Sequence, residues 1–133
     1  MTTAKRPRRS APRTTPLEEI VTTALDDMKA VNVRVLDVRG LTDIADTFVI
    51  ASGNSDRHVR SIAERVIQKA RAAGIRTHGI EGERDSEWVL VDLTDVIVHV
   101  MLPRTREFYG LERLWEGDGA SVPAKAAAPR RTK

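Results

Sequence analysis

Residues 87–115 read EWVLVDLTDVIVHVMLPRTREFYGLERLW, and no other part of the chain restricts its fold as much. Two runs, Trp88–Leu93 and Val96–Leu102, are rich in β-branched residues and separated only by Thr94-Asp95, which predicts a β-hairpin. Pro103 has no amide donor and should end the sheet. Thr105 can then cap a short helix in which Phe108, Leu111 and Trp115 recur at spacings of three and four. Gly110 inside that helix costs about 1 kcal/mol relative to Ala, so the helix needs tertiary support. Four of the chain's five aromatic residues fall in this stretch: Trp88, Phe108, Tyr109 and Trp115. Aromatic side chains carry large apolar area on few rotors, so the stretch holds either the core or a docking surface.

Upstream, Leu17, Ile20, Val21, Ala24, Leu25 and Met28 share one helical face. Thr15-Pro16-Leu17-Glu18 supplies an N-cap, a first-turn proline and a capping-box glutamate. Asn32 opens a β-rich stretch, VRVLDVRG, ending at Gly40. A polar segment containing Asp43 and Asp46 leads to TFVIASG, an apolar run suited to a buried strand. Val59, Ile62, Ala63, Val66, Ile67 and Ala70 mark a second helix, stopped by Gly74. Residues 75–81 alternate weakly and give a marginal strand, followed by a charged turn from Gly82 to Glu87. The predicted order is α-β-β-α-β-β-β-α, an α/β sandwich on a mixed sheet.

The 133 residues carry a formal charge of +3, unevenly spread. Lys5, Arg6, Arg8, Arg9 and Arg13 lie in residues 1–16, and Lys125, Arg130, Arg131 and Lys133 in residues 120–133, with no acid in either segment. Those nine cations exceed the total, leaving residues 17–119 with a net charge of −6. The body is therefore acidic and should prefer a basic partner surface. Residues 1–16 and 118–133, poor in large apolar side chains, are expected to be disordered tails around one domain at 17–117. Such tails add loose, salt-sensitive attraction to RNA. The first tail is Arg-rich like a transit peptide, but Pro7, Pro12 and Pro16 argue against an amphipathic helix. Neither a membrane-length apolar run nor a secretory signal is found, so a cytoplasmic protein is expected. Zero cysteines exclude disulfides, thiolate catalysis and Cys-ligated zinc.

Groups able to do chemistry are sparse. Ser52-Gly53-Asn54-Ser55 between strand and helix could cradle an anion, or could simply cap the helix. Asp92 and Asp95 could be offered to a metal, yet two carboxylates on one strand must be an even number apart to share a face, and these are three apart. Polar turn residues explain them as well. His58, His78 and His99 have no ligand spacing, and His99, inside VIVHVM, reads as a hydrogen-bonded core or face histidine. No catalytic set assembles, so no enzyme, cofactor or metal is required. On the closing helix, Phe108, Leu111 and Leu114 suffice to pin it to the sheet, so Phe108 is assigned to the core. Tyr109 and Trp115 are then either partly exposed anchors among charges or closing members of the core at the sheet edge, and Trp88 is either core or part of the same surface.

DTFVIASGNSDRHVRSIAE, followed by the stretch that ends in FYGLERLW, resembles the ribosomal silencing factor family, also called the Iojap or RsfS family. The similarity covers about residues 17–117 and omits both tails. It implies a non-enzymatic translation repressor that binds the large ribosomal subunit through the basic large-subunit ribosomal protein fourteen. Bound there, the factor would block joining of the small subunit and silence ribosomes when nutrients are scarce, a matter of surface complementarity and bulk. The family signature carries onto Asp46, Gly53, Trp88, Asp92, Asp95, His99, Glu107, Tyr109, Leu111, Glu112 and Trp115. On that resemblance Tyr109, Leu111 and Trp115 anchor the partner, Trp88 joins or supports them, and Asp92, Asp95, Glu107 and Glu112 match its charge. An apolar face would also allow a homodimer off the ribosome. The family's fold further resembles the nucleotidyltransferases, which use a D-x-D metal pair. Here Asp95-Val96-Ile97 has isoleucine where the second carboxylate belongs, so the likeness does not carry the activity.

Overall fold

The computed structural model describes residues 16–115. The expected basic tails, apart from Pro16, and the last two residues of the expected 17–117 domain lie outside the described residues. The elements are α1 (Pro16–Asp27), β1 (Val31–Asp37), β2 (Thr47–Ser52), α2 (Asp56–Ala72), β3 (Gly79–Glu81), β4 (Trp88–Asp92), β5 (Val96–Met101), α3 (Pro103–Tyr109) and α4 (Leu111–Trp115). Five strands form one sheet in the order β1-β2-β5-β4-β3. β2 and β5 are parallel, Val49 opposite Val98, while every other pair is antiparallel. The mixed α/β sandwich expected from the sequence is thus present, with its last helix divided in two.

The sheet is covered on both faces. Val49, Ala51, Val89, Val91, Val98 and Val100 pack beneath α1 and α2, whose buried stripes include Val21, Leu25, Val59, Ile62 and Val66. The opposite face presents Leu36, Phe48, Ile50, Leu90, Ile97 and Met101 to Leu111 and Trp115 of α4. Central strands β2 and β5 are buried at every position, which is why they read as continuous apolar runs rather than as an alternation. β1 is an edge strand, and of its residues only Leu36 is buried. Among the described residues, no helix is long and apolar enough to cross a membrane.

Local caps place the helices. Pro16 opens α1. Glu18 receives a 2.7 Å hydrogen bond from the Thr47 hydroxyl, tying α1 to the start of β2; its capping-box partner Thr15 lies outside the described residues. Ser55 caps α2, its hydroxyl accepting the His58 amide at 3.1 Å. His58 Nδ1 accepts the Asn54 amide at 2.9 Å, and its Nε2 lies 2.8 Å from the Met28 carbonyl, to which it donates. The Gly53, Asn54 and His58 amides are thus taken up within the chain, and of the two readings of Ser52–Ser55 the structure shows Ser55 as a cap.

The closing segment departs from expectation. α3 begins at Pro103, with Leu102 in the cap position and no side-chain cap, rather than at Thr105. Gly110 lies outside the helix: its φ of 58° is left-handed, and its amide reaches the Arg106 carbonyl at 3.0 Å. Proline preorganises a first turn and glycine ends a helix without the Cβ penalty. The break resets the helical phase, so the face extrapolated through Phe108, Leu111 and Trp115 does not exist. Leu111 and Trp115 turn inward, 1% and 4% exposed, whereas Phe108 turns outward at 79%. The roles assigned to Phe108 as core and Trp115 as exposed anchor are therefore exchanged.

Candidate functional site

The aromatic stretch assembles into a ladder running from solvent into the core. Phe108 meets Tyr109 edge to face at a centroid distance of 4.9 Å. Tyr109, 52% exposed, packs on Trp88 at 5.0 Å. Beneath it the half-buried Trp88 lies 6.0 Å from His99, which meets Phe48 at 4.9 Å, and Phe48 meets Trp115 at 5.0 Å. Such pairs contribute about 0.5–1.5 kcal/mol each beyond the area they bury. The upper rungs form an exposed aromatic patch; the lower rungs are its foundation.

His99 is fully buried and pairs with Ile50 and Leu90, so it faces the same side of the sheet as Trp88. The Trp88 indole N–H donates to His99 Nδ1 at 3.1 Å. An indole nitrogen only donates, so Nδ1 must be unprotonated and the neutral ring carries its proton on Nε2. Burial pushes the His99 pKa down to about 3. Among the described residues, His99 Nε2 and Trp115 Nε1 are buried without a hydrogen-bond partner, and each such group costs about 1–3 kcal/mol.

A polar latch supports the patch from the far side of Gly110. Arg106 Nε and Nη2 donate to Glu112 Oε1 and Oε2 at 2.9 and 3.0 Å, and Nη1 donates to Ser52 Oγ at 2.9 Å. Arg34 from β1 adds a 3.3 Å contact to Glu112. The two-pronged pairing joins α3 to α4 and both to the end of β2, fixing the bend that turns Phe108 and Tyr109 outward. Hydrogen bonding from Arg106 outweighs partial desolvation and holds the Glu112 carboxyl below its ordinary range.

An open cleft of about 400 Å³ at the N-terminus of α2 is lined by Asn54, Ser55, Asp56, Asp85, Glu87 and Arg104 together with Leu102 and Pro103. Its three carboxylates outnumber its one guanidinium, so the cleft is acidic. Exposed aromatic side chains are the composition of an interface hot spot, and the sign of the cleft suits a basic partner.

The nine expected site residues therefore separate. Trp88 and Tyr109 lie in the patch, and Glu107 is exposed beside Phe108. His99, Leu111 and Trp115 are buried and lie beneath the exposed aromatic patch. Glu112 is held in the latch. Asp92 and Asp95 sit at the opposite end of the hairpin, about 13 Å along β4 from Trp88 at a strand rise of about 3.3 Å per residue. The Asp92 carboxylate accepts the Thr94 amide at 2.8 Å, and the Asp95 carbonyl accepts the Asp46 and Thr47 amides at 2.9 and 3.1 Å. The Asp92 side chain shapes the turn, one of the two readings open to it. Among the described residues no three His, Asp or Glu side chains are grouped so as to hold a metal. Phe108 is the exposed aromatic that periodicity missed, and the signal that reveals it is Gly110, two residues on, read as a helix stop. Asp56, Asp85 and Glu87 were not singled out because they come together only in space.

A family model described as ribosomal silencing factor during starvation matches residues 11–133. The chain is 40% identical over 113 residues to ribosomal silencing factor RsfS of Chromobacterium violaceum, covering 85% of this chain and 93% of that one. It is 42% identical over 97 residues to RsfS of Bacillus subtilis, covering 73% and 82%. A crystal structure of a Chromobacterium violaceum protein is similar with a TM-score of 0.76 at 38% identity, over 84% of this chain and 91% of that one.

Proposed function

We propose that this chain, which belongs to the ribosomal silencing factor family, silences ribosomes by docking on the large subunit and keeping the small subunit from joining. The family places it in ribosome-associated control of translation. The docking site is read as the basic large-subunit ribosomal protein fourteen, and the expected outcome is lower translation under nutrient limitation in the cytoplasm. Phe108, Tyr109 and Trp88 are the anchors, and the cleft of Asp56, Asp85 and Glu87 matches basic side chains of the partner. The observation that carries this reading is the exposed Phe108–Tyr109 pair, with Tyr109 packed on Trp88. Blocking by bulk needs no catalytic group, cofactor or metal, and a non-enzymatic role is part of the proposal. The basic residues at 1–16 and 120–133 add salt-dependent attraction to ribosomal RNA. Off the ribosome, a homodimer would cover the same patch.

The test is sedimentation of purified large and small subunits in a gradient with increasing amounts of the full chain. The chain should travel with the large subunit and suppress the joined ribosome. Undiminished subunit joining at saturating protein would sink the reading.

A further inference from the structure

Trp88 has one polar atom, and the structure shows where it points. The indole N–H is directed into the sheet, onto Nδ1 of a histidine with no exposed surface. What the ring offers outward is therefore carbon. A half-buried tryptophan without an internal acceptor would keep its N–H toward water, and a partner covering it would then have to accept that proton or bury it unsatisfied.

His99 is a poor choice for packing alone. It sits in β5 among Ile97, Val98, Val100 and Met101 on a strand buried at every position, and its Nε2 is buried with no partner among the described residues. An aliphatic side chain of similar volume would remove that unsatisfied donor. Among the described residues the one polar contact of the imidazole is to Trp88, directly under the Tyr109 ring. Local rules broken in a core without a gain in stability mark positions retained for function.

We propose that His99 is the positioning residue of the docking surface: by accepting the Trp88 indole N–H from below, it holds the ring in its docking orientation and leaves a preorganised, dry carbon face for the partner to cover. This rests on the docking function proposed above. Because burial keeps the imidazole neutral, the acceptor is available throughout the physiological pH range. Preorganisation of this kind raises affinity by reducing what must be ordered and desolvated on binding.

The experiment compares the wild-type full chain with His99→Leu, His99→Met and His99→Gln. Three quantities are measured: solvent exchange of the Trp88 indole N–H by ¹H–¹⁵N NMR, the peak being assigned with Trp88→Phe; thermal stability; and affinity for isolated large ribosomal subunits. The wild-type indole proton should be protected from exchange. Both apolar variants should expose it, keep or raise the thermal midpoint, and weaken subunit binding about tenfold, or ~1.4 kcal/mol. Gln, whose side-chain carbonyl can accept the same proton, should restore protection and most of the affinity. Unchanged indole exchange in the apolar variants would overturn the proposal, as would unchanged binding once the indole is released. Unfolding of both apolar variants, with Gln folded, would show that His99 serves stability alone. If the wild type fails to bind large subunits, the docking function fails, and the positioning role in docking falls with it; the exchange measurement then still reports whether His99 holds Trp88.

Discussion

Mild acid should destabilise this protein through one residue. His99 is fully buried, and desolvation lowers its pKa from 6.5 to about 3. The unfolded chain therefore takes up a proton near pH 6.5 that the folded chain refuses. For a base whose folded pKa is depressed, the stabilising contribution is complete above the unfolded value and is lost as pH falls from there toward the folded one. With about 1.36 kcal/mol per unit of pKa difference, lowering the pH from 7 to 5 removes about 2 kcal/mol. Glu112 and Asp27, also held below their ordinary values, give up their contributions in a more acidic range, through their folded pKa values. Urea denaturation followed by tryptophan fluorescence between pH 7 and 5, on the wild type and His99→Leu, isolates the effect. The wild-type curve should fall relative to the variant by about 2 kcal/mol, most steeply below pH 6.5. Two curves that stay parallel across that interval would refute the reasoning, since a neutral buried imidazole cannot be indifferent to proton uptake by the unfolded chain.

Two further outcomes follow from the exchange of roles on either side of Gly110. Trp115→Ala should cost about 3–5 kcal/mol of stability by leaving a cavity under the sheet, whereas Phe108→Ala should fall within about 0.5 kcal/mol by the same denaturation assay while weakening large-subunit binding. Glu112→Gln removes the carboxylate that Arg106 grips with two nitrogens, leaving a buried guanidinium short of its counter-charge; stability should drop by about 1–3 kcal/mol. Subunit affinity should fall with it, because the bend that presents Tyr109 loosens.

The helices and central strands were legible because their signals are local. Ser55 ahead of one apolar face and the unbroken run Val96–Met101 each specify an element through two or three neighbours in sequence. The turn at Asp92–Asp95 was legible for the same reason, since a side chain that caps its own turn needs no distant partner. Phe108 and Trp115 were misread because periodicity was carried across Gly110. A single left-handed residue rotates everything after it, and spacing cannot show that rotation. Glu112 looked like a surface charge in the sequence; its engagement with Arg106 and Arg34 joins positions as much as 78 residues apart.

From the chain alone come the mixed α/β class, the acidic body between basic ends, and the concentration of aromatic residues in one stretch. All three are properties of composition and short-range pattern. Tertiary structure alone decided which aromatics meet solvent, which acids gather in one cleft, and that His99 supports Trp88 from inside the sheet. Those are facts of register and helical phase: β4 and β5 must pair with Leu90 opposite His99 before an indole at position 88 can reach an imidazole at position 99.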